Sequence, residues 1–397
     1  MSNSQDTYST GQLVDAFVGQ FGGNPDDIRI YFAPGRVNLI GDHTDYNGGA
    51  AMPAALTVGT WFAVRPRTDD VLRFYSENFK DTGVIEGTLG DLDAMKTAAW
   101  ARYPAGVVWA FRESGYEIPS GFDMLVHGTI PNGSGLSSSA SIEVGTGYML
   151  SDMYDLDVPL EQIALLGQKA ENDFVGVNCG IMDQYAIAMG QEGKAIFLTT
   201  SPLAHEYAPL DLGSARIVVI SSNKQRGLGD SKYNERRAEC ETALKELQTT
   251  AAITSLGDLT EEEFESLEDR IKDPVRRKRA RHAVSENQRT IRARDALRQG
   301  DIAQFGRLMT ESHESLRDDY EVTGRELDTL VDSALRQEGV LGARMTGAGF
   351  GGCTVNIVQA DHVDDFIRNV GAEYEREIGY AAEFIPVEAG GGPRRVK

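Results

Sequence analysis

Cysteine, long apolar runs and positive charge are all scarce in this chain of 397 residues. The three cysteines, Cys179, Cys240 and Cys353, show no CxxC spacing, which disfavours a disulfide framework or a zinc site. No apolar stretch reaches the roughly 20 residues that a membrane-spanning helix needs, and the N-terminal residues lack the pattern of an export signal. We therefore expect a protein of the reducing cytoplasm, with no membrane partner.

Basic residues are outnumbered, 39 against 60 acidic ones, which gives a formal net charge of −21. A charge of this sign repels nucleic acids and anionic membranes, so no nucleic-acid partner is expected. The basic run RRKRAR, residues 276–281, is interpreted as a solvated helix face, because acidic residues 261–263 precede it. An anionic ligand would need backbone amides or a few arginines to bind here.

The length is too great for one ordinary core and predicts two domains, 1–200 and 201–397, with a cleft between them. Strands and helices interleave without a regular βαβ period, which favours a two-domain α+β fold over a doubly wound sheet. Strands are predicted at 28–41, 59–67, 71–78 and 121–130, and helices at 160–175, 232–247, 275–299, 302–319 and 324–337.

The segment APGRVNLIGDHTDYNGG, residues 33–49, concentrates polar chemistry after an apolar run. It places Arg36, Asp42, His43 and Asp45 among glycines that permit close approach of backbone and ligand. A cluster so rich in acceptors suits a polyhydroxylated ligand, because each buried sugar hydroxyl needs a partner.

The segment PNGSGLSSSAS, residues 131–141, combines loop glycines with consecutive serines at an expected helix start. Exposed amides there bind anions, so the segment predicts a phosphate-binding loop, with a serine-capped turn as the structural alternative. The GxxxxGK pattern of P-loop enzymes is absent. GAGFGG at 347–352 precedes a strand instead of following one, so we interpret it as a second phosphate loop and not a dinucleotide site.

Three further residues are ambiguous when each is taken alone. Asp183 in CGIMDQ could cap a helix or hydrogen-bond within a loop. Glu171 could be a solvent-facing helix residue, and Tyr233 in SKYNERR could be a partly buried helix tyrosine. Cys179 and Cys353 are expected to be small packing residues.

Taken together, GRVNLIGDHTDYNGG, GSGLSSSAS and MTGAGFGGC resemble the three motifs of the galactokinase family, within the GHMP small-molecule kinases. CGIMDQ and SKYNERR also resemble segments of that family. The resemblance implies transfer of the γ-phosphoryl group of ATP to the anomeric hydroxyl of galactose, the first committed step of galactose catabolism. It also implies two α+β domains with the active site in the cleft between them.

The resemblance assigns roles position by position. Asp183 would be the catalytic carboxylate and Arg36 its partner, while Ser139 and Glu171 would bind Mg²⁺. The implied sugar-binding residues are Asp42, His43, Thr44, Asp45 and Tyr233. The implied ATP phosphate loop comprises Gly133, Ser134, Gly135, Leu136, Ser137, Ser138 and Ser139.

The chain departs from the family at Asp42, where the usual residue is glutamate. The shorter side chain leaves the sugar less certain than the reaction, and kinases of galacturonate, arabinose or N-acetylgalactosamine remain alternatives. A catalytically silent sugar sensor is disfavoured, because Arg36, Ser139, Glu171 and Asp183 are all present. The sequence does not determine the oligomeric state, for which we favour a monomer.

Overall fold

The structure is a computed structural model that describes residues 9–131, 135–224 and 229–397, without the side chains of residues 229–231. Its strands are β1 Arg29–Asn38, β2 Ala50–Ala51, β3 Pro53–Pro66, β4 Val71–Ser76, β5 Ile85–Thr88, β6 Phe122–Gly128, β7 Lys194–Thr200, β8 Leu203–Pro209, β9 Ala215–Ser221, β10 Val340–Thr346, β11 Cys353–Gln359, β12 Glu383–Val387 and β13 Arg394–Arg395.

The α-helices are α1 Thr10–Phe21, α2 Arg102–Glu113, α3 Ser138–Met153, α4 Leu160–Lys169, α5 Met182–Ala188, α6 Gly229–Leu247, α7 Glu261–Leu267, α8 Pro274–Gln299, α9 Ile302–Ser315, α10 Arg325–Leu335 and α11 Val363–Ile378. Two π-helical turns extend helices, Ala170–Val175 after α4 and Leu316–Tyr320 after α9.

A six-stranded sheet with the order β13-β1-β3-β6-β4-β5 forms the first half of the molecule. Its strands pair antiparallel except β4 and β6, which are parallel. Helices α2 to α5 contribute to one apolar core with this sheet, and α1 packs against residues of β1, β3 and β6 in a separate cluster. Burial of β1 is nearly complete along its length, so it presents its ends, and not its faces, to ligands.

A four-stranded sheet, β10-β11-β9-β12, and a three-stranded sheet, β2-β7-β8, complete the fold. Helices α10 and α11 pack on the four-stranded sheet, while α8 and α9 share a core with strands from both halves of the sequence. In that shared core, Val37 and Met52 are clustered with Ile217 and Leu308. Apolar burial therefore joins the two halves directly.

The α+β architecture is confirmed, and the main predicted helices are present with shifted ends. The helix predicted over 160–175 is α4 followed by the π-helical turn. The division into 1–200 and 201–397 stays a prediction. Strand β8 pairs with β7 across residue 200, and β13 returns from the C-terminal end to pair with β1.

The basic run 276–281 is only partly the solvated face that the sequence predicts. Arg279 is buried and pairs with Glu239 and Glu321. Arg276, Arg277 and Arg281 also form ion pairs, with carboxylates of α6 and of the turn after α7. Burial of a guanidinium requires such partners, and they explain the run without an external ligand. Among the described helices, none is long and apolar enough to cross a membrane.

Candidate active site

The pairing of β1 with β3 is irregular next to Arg36, whose side chain reaches the loop before α3. The register of β1 against β3 shifts between Pro34 and Arg36, where the single β1 residue Gly35 lies opposite residues 56–58 of β3, so the extra residues of the bulge are on β3. A Cβ at Gly35 would lie 2.9 Å from the carbonyl oxygen of Leu136, so a side chain there would separate the two segments. The Arg36 amide instead donates to that same oxygen at 3.2 Å.

Arg36 and Asp183 form a two-pronged ion pair at this junction. Arg36 Nε donates to Asp183 Oδ1 at 2.9 Å, and Nη2 donates to Oδ2 at 2.7 Å. The third nitrogen, Nη1, donates to the carbonyl oxygen of Gly135 at 2.8 Å. The Arg36 side chain is 5% exposed and that of Asp183 is 32% exposed, so the carboxylate is the partner open to a ligand. A guanidinium that binds both oxygens fixes the orientation of the carboxylate and stabilises its negative charge.

The N-cap residue of α3, Ser137, makes no capping hydrogen bond with its side chain. Ser137 precedes the helix in the left-handed region, at φ 58°, and its hydroxyl donates to Asp183 Oδ2 at 2.5 Å instead of capping the helix. The first amide to bond within the helix is that of Ser141, which donates to Ser137. The preceding amides of the first turn, with the helix dipole, could bind an anion. Gly133 and Ser134, assigned to the same loop, lie outside the described residues.

Behind Asp183, an acidic cluster joins α3, α5 and the first π-helical turn. Glu171 is buried and contacts the Ser139 hydroxyl, so the two expected metal ligands are together. Gln184 Nε2 donates to Glu171 Oε2 at 2.7 Å and to Glu143 Oε2 at 2.8 Å. Burial and the neighbouring carboxylate charges raise the pKa of both glutamates. The sequence analysis overlooked Glu143, although it lies one turn after Ser139 on the same face of α3.

The acidic cluster fits a divalent cation in its donor chemistry. Oε1 of Glu143 and Oε1 of Gln184 are buried without a hydrogen-bond partner in the described part of the chain, and oxygen is the donor that Mg²⁺ prefers. Within those residues no set of three His, Cys, Asp or Glu side chains is arranged to hold a metal alone. A cation at Glu171 would therefore also need oxygens from the nucleotide or water.

Two residues assigned to the sugar are turned into the protein. The Asp42 carboxylate accepts from Asn38 Nδ2 at 2.8 Å and from Arg344 Nη2 at 2.6 Å, and it is buried. The Thr44 hydroxyl donates within the loop, 2.8 Å from the carbonyl oxygens of both Gly41 and Ala50. Their contacts support the conformation of the loop, and their assignment to the sugar stays a prediction.

Asp45, His43 and Tyr233 converge toward Asp183. Asp45 packs so closely on Gly180 that a Cβ there would lie 2.3 Å from Asp45 Oδ2. Burial, with the charge of Asp183, raises the pKa of Asp45 to about 6. The Tyr233 ring lies 5.6 Å from the His43 ring, and burial beside Asp45 and Asp183 raises the pKa of Tyr233.

Buried groups of α8 and β10 hold the sugar motif from behind. Glu286 accepts from the Gly41 amide at 2.9 Å and from Ser312 Oγ at 2.6 Å. Arg289 and Arg344 lower the pKa of Glu286 to about 2, so it is ionised at neutral pH. His282 Nε2 lies 3.2 Å from the Asp42 carbonyl oxygen. A glutamate within an arginine-rich helix gives no sequence signal for this role.

Three family models match the chain. The galactokinase galactose-binding signature matches residues 15–66, which contain the sugar motif. The GHMP kinase N-terminal domain matches residues 102–191, and the GHMP kinase C-terminal domain matches residues 293–376. The first two matches together include Arg36, Ser139, Glu171 and Asp183.

Relatives and solved structures agree with these models. The galactokinases of Clostridium beijerinckii and Clostridium acetobutylicum are 54% and 55% identical to the chain, over 94% and 93% of its length and 95% of theirs. The crystal structure of Lactococcus lactis galactokinase complexed with galactose superposes with a TM-score of 0.93 at 48% identity, over 97% of this chain and 99% of that one. A mevalonate kinase structure shares the fold, with a TM-score of 0.65 at 19% identity over 90% of this chain and 98% of that one. The chain belongs to the galactokinase family of GHMP kinases.

Proposed function

We propose that the chain transfers the γ-phosphoryl group of ATP to the anomeric hydroxyl of galactose. The observation that carries this proposal is the pairing of Arg36 with a partly open Asp183 carboxylate, at 2.7 and 2.9 Å, beside the N-terminus of α3. Asp45, His43 and Tyr233 line the adjoining side. Phosphoryl transfer needs positioning and charge neutralisation, and this arrangement supplies both.

In this proposal Asp183 orients the anomeric hydroxyl. Arg36 and Ser137 hold both of its carboxylate oxygens, so the carboxylate has one defined orientation. The exposed edge then accepts a hydrogen bond from the sugar hydroxyl and takes its proton after bond formation to phosphorus has begun. Arg36 also offers positive charge where the transferred group becomes more negative.

The nucleotide phosphates would bind at the N-terminus of α3, with residues 135–139 as their contacts. Gly133 and Ser134 stay predicted members of this loop. The helix amides supply local positive potential in a chain whose net charge is −21. Because the Ser137 hydroxyl is directed at Asp183, the loop connects the nucleotide to the reacting carboxylate.

Ser139 and Glu171 would hold Mg²⁺, with Glu143 next to them. A bound Mg²⁺ neutralises the phosphate charge that builds up during transfer. Gln184 fixes the Glu171 carboxylate through its amide, so the ligand is oriented before the nucleotide arrives.

In this proposal, the residues that contact galactose are Asp45, His43 and Tyr233. Since Asp42 is ion-paired with Arg344, the methylene missing relative to glutamate need not shorten a direct sugar contact. The Lactococcus lactis relative was crystallised with galactose, which supports the same acceptor here.

We also propose that the chain works as a monomer in the cytoplasm. Arg36, Ser139, Glu171, Asp183 and Tyr233 all lie among the described residues of one chain, and ATP and Mg²⁺ are available in that compartment.

A panel of free sugars incubated with ATP and Mg²⁺ tests the proposed reaction. We expect ADP release with galactose to exceed that with galacturonate, arabinose or N-acetylgalactosamine, and the product to carry phosphate on its anomeric oxygen by NMR. Preference for another sugar would overturn the choice of galactose. Binding of galactose and ATP without ADP release would instead identify a sensor.

A further inference from the structure

A buried series of hydrogen bonds runs from His43 to Cys240. His43 Nδ1 lies 2.8 Å from the Tyr46 hydroxyl, which lies 2.8 Å from the Tyr320 hydroxyl. The Tyr320 hydroxyl lies 3.2 Å from Cys240 Sγ. We call Tyr46, Tyr320 and Cys240 the hydroxyl relay.

The relay joins three elements that pack around the sugar motif. Tyr320 is fully buried at the end of the second π-helical turn, with its ring 4.8 Å from that of His43 and 4.5 Å from that of His282. Cys240 is on α6, seven residues after Tyr233, and therefore on about the same face of that helix. Tyr46 belongs to the loop that also carries His43.

The chemistry at Cys240 gives the relay a direction. A thiol sulfur is a weak acceptor, and the Asn47 side chain already hydrogen-bonds this one. The Tyr320 hydroxyl therefore donates to the stronger acceptor, the Tyr46 oxygen. Tyr46 then donates its own proton to His43 Nδ1. Burial raises the pKa of Cys240 to about 11, so the thiol keeps its proton.

His43 is a neutral imidazole at ordinary pH, because burial and His282 lower its pKa to about 3. A neutral imidazole that accepts at Nδ1 carries its proton on Nε2. Nε2 is buried without a hydrogen-bond partner among the described residues, and the ring also interacts with the backbone of Ala348. It is a polar group of the sugar motif that a ligand could satisfy.

We propose that the hydroxyl relay holds His43 as the Nε2–H tautomer, so that His43 is a hydrogen-bond donor to a sugar hydroxyl. The inference rests on the proposed sugar site. With the relay reversed, Nε2 would be an acceptor and would suit a different arrangement of hydroxyl protons on the sugar. The three relay residues are thus positioning residues that act through His43.

Nitrogen-15 NMR of the full chain with labelled histidine measures the tautomer directly. The chain has six histidines, and the His43→Gln variant assigns the His43 signals. We expect the wild type to carry the proton on Nε2. Cys240→Ser supplies a stronger acceptor than the thiol and should shift His43 toward Nδ1–H, whereas Cys240→Ala supplies none and should keep Nε2–H.

Galactose kinetics give the second readout. Cys240→Ser should raise the KM for galactose roughly three- to tenfold, because the complex loses about one hydrogen bond to the sugar. The kcat should change less than about twofold. Tyr185→Phe is the matched control, because its hydroxyl faces Nδ1 of a different histidine, His205, at 2.9 Å. That variant should leave the His43 signals unchanged.

An Nδ1–H tautomer in the wild type would overturn the proposal, and this result requires no variant to fold. An unchanged tautomer in both Cys240→Ser and Tyr46→Phe would overturn the relay. A His43 Nε2 signal that does not respond to galactose would overturn the sugar contact. ADP release from galactose and ATP, measured on the same wild-type sample, reports the proposed reaction separately.

Discussion

Asp42 lies in the middle of the sugar motif, yet its carboxylate pairs with Arg344 and Asn38. From the sequence alone it was the residue on which sugar specificity depended. Arg344 is more than 300 residues away, so no local pattern reveals that contact, and the role of Asp42 toward the sugar stays a prediction. Asp183 and Arg36 were recognisable from their motifs, and the structure brings them together.

The sequence also predicted only some of the residues of the acidic cluster. Ser139 and Glu171 were predicted as a pair and are in contact. Glu143 and Gln184 were not predicted. Their role in the cluster depends on the hydrogen bonds that Gln184 donates to Glu143 and Glu171, and the sequence does not show these contacts.

Glu171→Gln should raise the Mg²⁺ concentration needed for half-maximal rate by roughly tenfold, since an amide is a poorer ligand than a carboxylate. The measurement is a magnesium titration of ADP release at saturating galactose. Asp173→Asn, an exposed carboxylate on the same π-helical turn that pairs with Lys169, is the control. An unchanged titration for Glu171→Gln would remove this residue from the metal site.

At the scale of elements, apolar periodicity predicted helices α6, α8, α9 and α10 to within a few residues at most ends. Helices α1, α2, α5 and α7 were not predicted. Pro104 and Gly106 weaken the helix signal of α2, whereas α1 carries a capping box formed by Ser9 and Gln12 that marks its start. The bulge of β3 opposite Gly35 was also unpredicted, because a register shift depends on the pairing of the two strands and not on either strand alone.

Helix α8 holds the sugar loop through Glu286. Replacing this buried carboxylate by Glu286→Gln should lower the free energy of unfolding by about 3 kcal/mol, because Arg344 and Arg289 lose their buried counter-charge. Urea unfolding measures the change, with Glu262→Gln on the exposed face of α7 as control. Equal stability of the two variants would mean that Glu286 does not anchor the loop.

At the scale of the whole molecule, length predicted two domains but not how closely they are joined. The shared core contains residues from both halves, β8 pairs with β7, and β13 pairs with β1. Such long-range pairings cannot be inferred from composition or spacing, because they depend on where the chain returns after hundreds of residues.

The fragments 1–200 and 201–397 should each fail to fold alone, since each would expose its side of the shared core. Circular dichroism during urea unfolding should show no cooperative transition for either fragment and one for the full chain. A cooperative transition in either fragment would show that the division at residue 200 separates independent domains.

The central claim is that Asp183, oriented by Arg36, positions the anomeric hydroxyl and accepts its proton during phosphoryl transfer. The most direct test compares Asp183→Asn with the wild type by kcat and by ATP affinity in the absence of sugar. We predict a kcat lower by roughly a thousandfold, because the side chain loses its negative charge, with ATP affinity changed less than about threefold. A near-normal kcat in Asp183→Asn would contradict the account.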